Sequence, residues 1–240
     1  MIEQGTQRDE TRTRIVEVAG TMLREQGAGA VTTRAVAEGA GVQAPTIYRL
    51  FGDKDGLLEA VAEHAMSAFA AVKAEAVRAA QDEQTDPVED LRAGWGMTIA
   101  FGLANPDLFV LLADPERGRR SAAARAGTAL LADRVRRVAE AGRLAVPERR
   151  AVDLVHAAGT GAVLAILSAS PADRDPALAD DALEAVLGRI LVTGAPAPHG
   201  PGDAVSSAAI TLRAAVSDLD VLSAAERTML AEWLDRVAER

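Results

Sequence analysis

Between positions 32 and 55 the chain concentrates the side chains that suit a phosphate backbone. It has a single tyrosine, Tyr48, and only two lysines, Lys54 and Lys73, among 26 basic residues. Tyr48 and Lys54 nevertheless fall six positions apart, with Arg49 between them. A phenol hydroxyl donates to a phosphate oxygen, and a guanidinium pairs with phosphate or with a guanine edge. An ammonium at the start of a helix adds to the free N–H groups and the dipole there, both of which favour an anion. Other chemistry is thinly represented. With no cysteine, thiolate catalysis, disulfides and Cys-type zinc sites are excluded. His64, His156 and His199 lack HxxxH or HExxH spacing, so no metal site is expected. No nucleophile elbow, P-loop or dinucleotide fingerprint occurs, so neither catalytic residues nor a cofactor are expected, and the chain does not read as an enzyme. Asp180-Asp181 and Asp218/Asp220 read as solvated helix faces rather than acid–base pairs.

Helices must hold the phosphate-suited residues. RDETRTRIVEVAGTMLREQG carries Ile15, Val18, Ala19, Met22 and Leu23 at helical spacing and stops at Gly27 and Gly29. Thr32 or Thr33 can cap the next helix, TRAVAEGA, which ends at Gly41. A third helix is expected from about Ala44 to Phe51, with Pro45 tolerated in its first turn. Two short helices joined by a tight Gly41-Val42 turn suit a helix-turn-helix that reads DNA. On the third helix Ile47, Leu50 and Phe51 face inward, which leaves Thr46, Tyr48 and Arg49 on other faces.

This stretch resembles the tetracycline-repressor-like (TetR) family of one-component bacterial regulators over about residues 9 to 60. The likeness rests on TTRAVAEGAGV, on the pair Tyr48 and Phe51, and on Lys54-Asp55-x-Leu57-Leu58. It implies that Thr33 and Tyr48 bind phosphates and that Arg34 touches bases or backbone. It further implies that the segment of Gln43, Ala44, Pro45, Thr46, Tyr48 and Arg49 reads the major groove, and that Lys54 contacts backbone. The implied fold is all-α: an N-terminal three-helix DNA-binding domain (1-60) and a larger helical ligand-binding and dimerisation domain (61-195). One departure is Leu50, where the family often has His or Tyr as a further phosphate contact. The plainer alternative is an ordinary three-helix bundle with Tyr48 as a half-buried edge.

Net charge speaks against nonspecific attraction to nucleic acid. The chain carries −9, and residues 1 to 60 hold 7 basic and 9 acidic residues. Counter-ion release, however, counts local phosphate contacts, and Arg8, Arg12, Arg14, Arg34, Arg49 and Lys54 are placed to make them.

Beyond residue 60 the pattern stays helical. A long amphipathic helix is expected from about Asp55 to Gln81. Asp86-Pro87 and Asn105-Pro106 each read as N-cap followed by N1 proline. Pro115 and Gly118 precede a long Ala/Arg-rich helix, Pro147 opens the most apolar one, and Asp175-Pro176 starts ALADDALEAVLGRILV. A Pro/Gly linker follows at 193 to 203, and the tail segment 196-240 carries two helices that are expected to pack on the effector domain. Trp95, Thr98, Phe101, Phe109 and Leu112, with His156 and Thr160, are candidates to line a site for a small apolar or aromatic effector. Plain core packing is the alternative for each of them. Leu183, Val186, Leu187 and Ile190 are candidates for a self-complementary interface in a homodimer. The arginines from ERGRR to RVRR (116 to 137) read either as a second nucleic-acid surface or, more plainly, as a solvated, salt-bridged face.

The polar N-terminus and the lack of a membrane span lead us to expect a cytoplasmic protein without a membrane partner. The expected function is a ligand-responsive regulator, a repressor on a palindromic double-stranded DNA operator. The rivals are an all-α ligand-binding or enzymatic protein whose N-terminal bundle is only structural, and an interaction adaptor.

Overall fold

The computed structural model describes residues 2–27, 29–192 and 201–238, with side chains described from residue 7 and, after the gap, from residue 205. The described residues form helices α1 (Ile2–Gln26), α2 (Thr33–Gly39), α3 (Ala44–Phe51), α4 (Lys54–Asp82), α5 (Pro87–Ala104) and α6 (Pro106–Leu112). After these come α7 (Pro115–Arg120), α8 (Ala122–Glu140), α9 (Glu148–Ser168), α10 (Ala177–Ile190), α11 (Pro201–Ala215) and α12 (Ala224–Ala238). Among the described residues there is no strand, only an isolated antiparallel bridge between Leu144 and Leu191. The all-α expectation holds.

Contacts divide the chain into two compact units that do not follow a single cut. The first comprises Met1–Val72 with Phe101–Ala126, the second Lys73–Ala100 with Gly127–Arg240. A domain ending at residue 60 therefore omits part of the first unit. Leu108 of α6 is buried in the same core as Ile15, Val36, Ile47 and Leu57, with Leu111 and Leu112 packed against it.

Local signals explain most helix ends in the first unit. Thr32 caps α2, its side chain accepting from Ala35 N at 3.1 Å. Gly41 sits at φ +64°, a conformation L side chains rarely adopt, and so permits the tight turn into α3. Pro45 lies in the first turn of α3, where its missing N–H costs nothing. The start of α8 is tertiary as well as local. Ser121 Oγ accepts from Ala124 N at 2.9 Å and donates to Glu63 of α4 at 2.5 Å, while Ala123 N donates to the other Glu63 oxygen at 2.9 Å.

In the second unit Asp86 caps α5, accepting from Val88 N at 2.9 Å and Glu89 N at 3.2 Å. Asn105, expected as the matching cap of α6 in the first unit, holds the N-cap position without a side-chain cap bond. Its amide instead donates back to Phe101 O at 2.9 Å. Helix α9 turns Ala151, Val155, Gly159, Ala162, Val163 and Ile166 inward, and α10 packs on it. By length and composition α9 could cross a membrane, but a third of its most apolar window is buried in this fold. A capping box opens α12: Ser223 N donates to Glu226 at 2.8 Å, and Glu226 N to Ser223 Oγ at 3.3 Å. Helices α11 and α12 pack on one another, and Ala209, Ile210, Ala214 and Val216 are buried. Leu212 of α11 and Trp233 of α12 are exposed. The linker residues 193–200 lie outside the described residues.

Candidate nucleic-acid interface

The interface is built by burying one face of α3. Ile47 is fully buried in the core of the first unit, and Leu50, Phe51, Val42 and Ala44 pack against that core. That fixes the rotation of the helix, so Tyr48 stands out 54% exposed. Gln43, Pro45 and Arg49 are exposed beside it, and Thr46 is half-buried. Thr33, the first residue of α2, brings its hydroxyl within 3.4 Å of the Tyr48 hydroxyl. Two hydroxyls from different helices thus present together, with Arg34 exposed one residue on. Lys54 is the first residue of α4 and is exposed at that helix start.

A neighbouring surface carries two of the arginines expected to contact phosphates, Arg8 and Arg12. Gln7, Arg8 and Thr11 of α1 line one depression with Thr46, Arg49 and Leu50 of α3. Leu50, which cannot bind phosphate, is half-buried there. Arg12 lies over the Phe51 ring, 5.3 Å from its centroid, which directs that guanidinium by a cation–π contact. Gln7 and Thr11, uncharged residues in a run rich in charge, are the members of that depression that sequence reasoning does not single out.

The basic run of α7 is tied to acidic groups. Arg120 pairs with Glu59 at 3.1 Å, Arg119 with Glu116 at 3.2 Å, and Arg117 lies 4.0 Å from Asp55. Its solvated, salt-bridged reading is the one observed. The RVRR run differs: Arg134 is 1% exposed and enclosed within the second unit.

The expected effector-lining residues are divided between the units. In the first unit, Phe101 stacks on Phe69 with centroids 4.3 Å apart, Phe109 is half-buried, and Leu112 packs against the core already described. Phe101 and Phe69 also line an open groove with Val16, Arg24, His64 and Val72. In the second unit Trp95 is buried with its ring against Gly159, where an added Cβ would come within 3.3 Å. Thr98 accepts from Lys73 Nζ at 3.3 Å and donates to Gly94 O at 2.9 Å. Thr160 is half-buried, but His156 is exposed on the outer face of α9, which corrects its placement against an enclosed ligand.

A second correction concerns the expected dimer face. Leu183, Leu187 and Ile190 are 5%, 2% and 0% exposed, so they belong to the chain's own core, and Val186 is half-buried. Counting apolar residues on α10 overestimated its outward face because α9 covers so much of it. Among the described residues no group of acids and histidines is arranged to hold a metal.

A short helix with its inner face locked, its outer face carrying hydroxyls and a guanidinium, and a glycine turn before it together make a helix-turn-helix DNA-binding unit. Residues 15–61 match the model of "Bacterial regulatory proteins, tetR family", so this N-terminal domain is similar to the DNA-binding domain of that family. Solved structures extend the likeness in fold. Thermus thermophilus FadR, described as a TetR-family transcriptional repressor and solved with lauroyl-CoA, is 25% identical with a TM-score of 0.61. The match covers 79% of this chain and 100% of that one. RolR, solved with resorcinol, is 21% identical with a TM-score of 0.63, over 79% of this chain and 91% of that one. A tetR-family regulator from Shewanella sp. PV-4 is 21% identical with a TM-score of 0.55, over 76% and 98%. No curated protein matches the sequence.

Proposed function

We propose that the chain is a dimeric, ligand-responsive repressor that acts in the cytoplasm and leaves a palindromic operator when a small molecule binds. The observation that carries this reading is the α3 surface: Ile47 is buried while Tyr48 and Arg49 are exposed, and Thr33 lies beside the phenol. In it Thr33, Tyr48 and Lys54 take phosphates, Arg34 takes bases or backbone, and the segment Gln43 to Arg49 enters the major groove.

Two such heads need a dimer. The outer face of α9 supports one. Ala157, Gly161, Leu164 and Ala165 are exposed there, and no acidic or basic side chain occurs from 154 to 168 except His156. An apolar helix face of that length is a liability unless covered. With the exposed Leu178, Ala185 and Gly188 of α10 it suits a four-helix contact in which the same patch meets itself. The effector-binding part is the helical portion beyond residue 60, with α11 and α12 as an element of it. The two ligand-bound neighbours, one with resorcinol and one with lauroyl-CoA, support a small-molecule effector.

The test is selection of bound fragments from genomic DNA by the purified protein, followed by sedimentation. A palindrome with half-sites about 34–36 Å apart, or a multiple of that, is expected. Leu164→Glu is expected to give monomers and to lose operator binding in the same preparation. A wild-type monomer at micromolar concentration, or fragments with no common sequence, overturns the reading.

A further inference from the structure

The second unit buries more positive charge than its visible partners satisfy. Asp90, 3% exposed on α5, accepts from Arg134 Nε at 3.0 Å and from Arg137, both through the same oxygen, Oδ2. One carboxylate therefore serves two guanidinium groups from α8. Arg134 Nη2, Arg137 Nε and the indole Nε1 of Trp95 are buried without a hydrogen-bond partner. Buried donors of this kind are rarely left unmet, and a buried charge without full compensation is strongly unfavourable. A third cation is near: Lys73 of α4 is 8% exposed, and burial and then Arg134 lower its pKa to about 8. Helix α5 accommodates the cluster by giving up a side chain. A Cβ on Gly94 would fall 2.7 Å from Arg134 Cζ, so the guanidinium lies directly on the helix backbone.

We propose that this cluster, on α4, α5 and α8, is the binding site for the carboxylate group of an organic acid. Arg134 Nη2 and Trp95 Nε1 would donate to the carboxylate, and its negative charge would offset the guanidinium that Asp90 does not neutralise. The rest of the molecule is apolar, because Leu91, Ile99, Val135 and Val138 are the buried neighbours on the same helices. Beside Asp90, a single carboxylate brings the arginine pair to neutrality, and Lys73 remains as the one further cation. This rests on the reading of the helices beyond residue 60 as the effector-binding part. It makes the small apolar or aromatic effector expected from sequence an organic acid.

The test uses full-length protein without DNA at pH 7 and fixed ionic strength. Benzoate and octanoate are titrated against their neutral amides and against inorganic phosphate, by calorimetry and by thermal midpoint. At least one acid is expected to raise the midpoint and to bind at least tenfold more tightly than its amide. That preference is expected to fall toward unity in Arg134→Met, and to weaken in Lys73→Met, which keeps the Asp90 pairs and serves if the first variant does not fold. Equal binding of acid and amide, binding of phosphate alone, no response to either acid, or an acid preference unchanged in the folded variants overturns the proposal. Operator binding is measured separately without probe. If it is intact and the acid preference is absent, only the carboxylate site fails; if it is absent, the repressor reading fails whatever the acids do.

Discussion

Two groups of arginine in this chain face opposite ways. Arg34 and Arg49 stand in solvent on the helix-turn-helix, where each can be met by a phosphate or a base. Arg134 and Arg137 are drawn into the second unit and share Asp90. Residue type is the same, and helix propensity is the same. What differs is the partner helix. In the first unit α3 buries Ile47 and turns its cation outward. In the second, α5 offers a carboxylate and a bare glycine, and the cations turn inward. The comparison teaches that an arginine run on an amphipathic helix has no fixed meaning until its facing helix is known.

Removing Asp90 should break this contrast most severely. Asp90→Ala leaves two enclosed guanidinium groups without their carboxylate and is expected to lower stability by about 3–5 kcal/mol, read as the urea midpoint. A change of a few tenths would mean that the arginines are not held as described. Arg49→Ala should do the reverse, leaving the urea midpoint unmoved while weakening operator binding by about 1–3 kcal/mol and relaxing preference at one base position. Unchanged footprints would remove α3 from the groove.

Lys73→Met sharpens the inward side. The folded pKa of about 8 lies below the ordinary 10.5, so below about pH 8 both states carry the proton and the folded state bears the full penalty. Between about 8 and 10.5 the unfolded chain holds more protons, and wild-type stability rises with pH. The methionine variant is therefore expected to be more stable at pH 7 by up to about 3 kcal/mol, less the lost bond to Thr98. Its advantage should shrink as pH climbs past 8; a constant advantage across that range would contradict the burial assigned to Lys73. The smallest effect is expected at Arg120, an exposed partner of Glu59: Arg120→Ala should alter stability by no more than about 0.5 kcal/mol.

Legibility in the sequence follows the range of the interactions. The limits of α2 and α3 could be read because Thr32, Gly41 and Pro45 act on their own neighbours. The exposed residues of α3 could be read because one buried isoleucine sets the rotation of an eight-residue helix. The break between α7 and α8 was missed, although Ser121 before a run of alanines is an N-cap signal, because its clinching partner is Glu63, 58 residues away. Arg134 was misread as solvated because both features that enclose it, Asp90 and Gly94, lie on another helix. The dimer residues on α10 failed for a related reason: alternation along one helix does not say how much of it a neighbouring helix will cover.

Gly94 sets the distance between α5 and a guanidinium by having no side chain of its own. A glycine within a helix weakens it by about 1 kcal/mol relative to alanine. Restoring the methyl at this position would therefore strengthen the helix and at the same time push Arg134 off its seat. The residue acts as a spacer of zero thickness. The size of acid that the proposed site admits is thereby set from behind, and its range of ligands changes with position 94 while every ligand-contacting side chain keeps its identity.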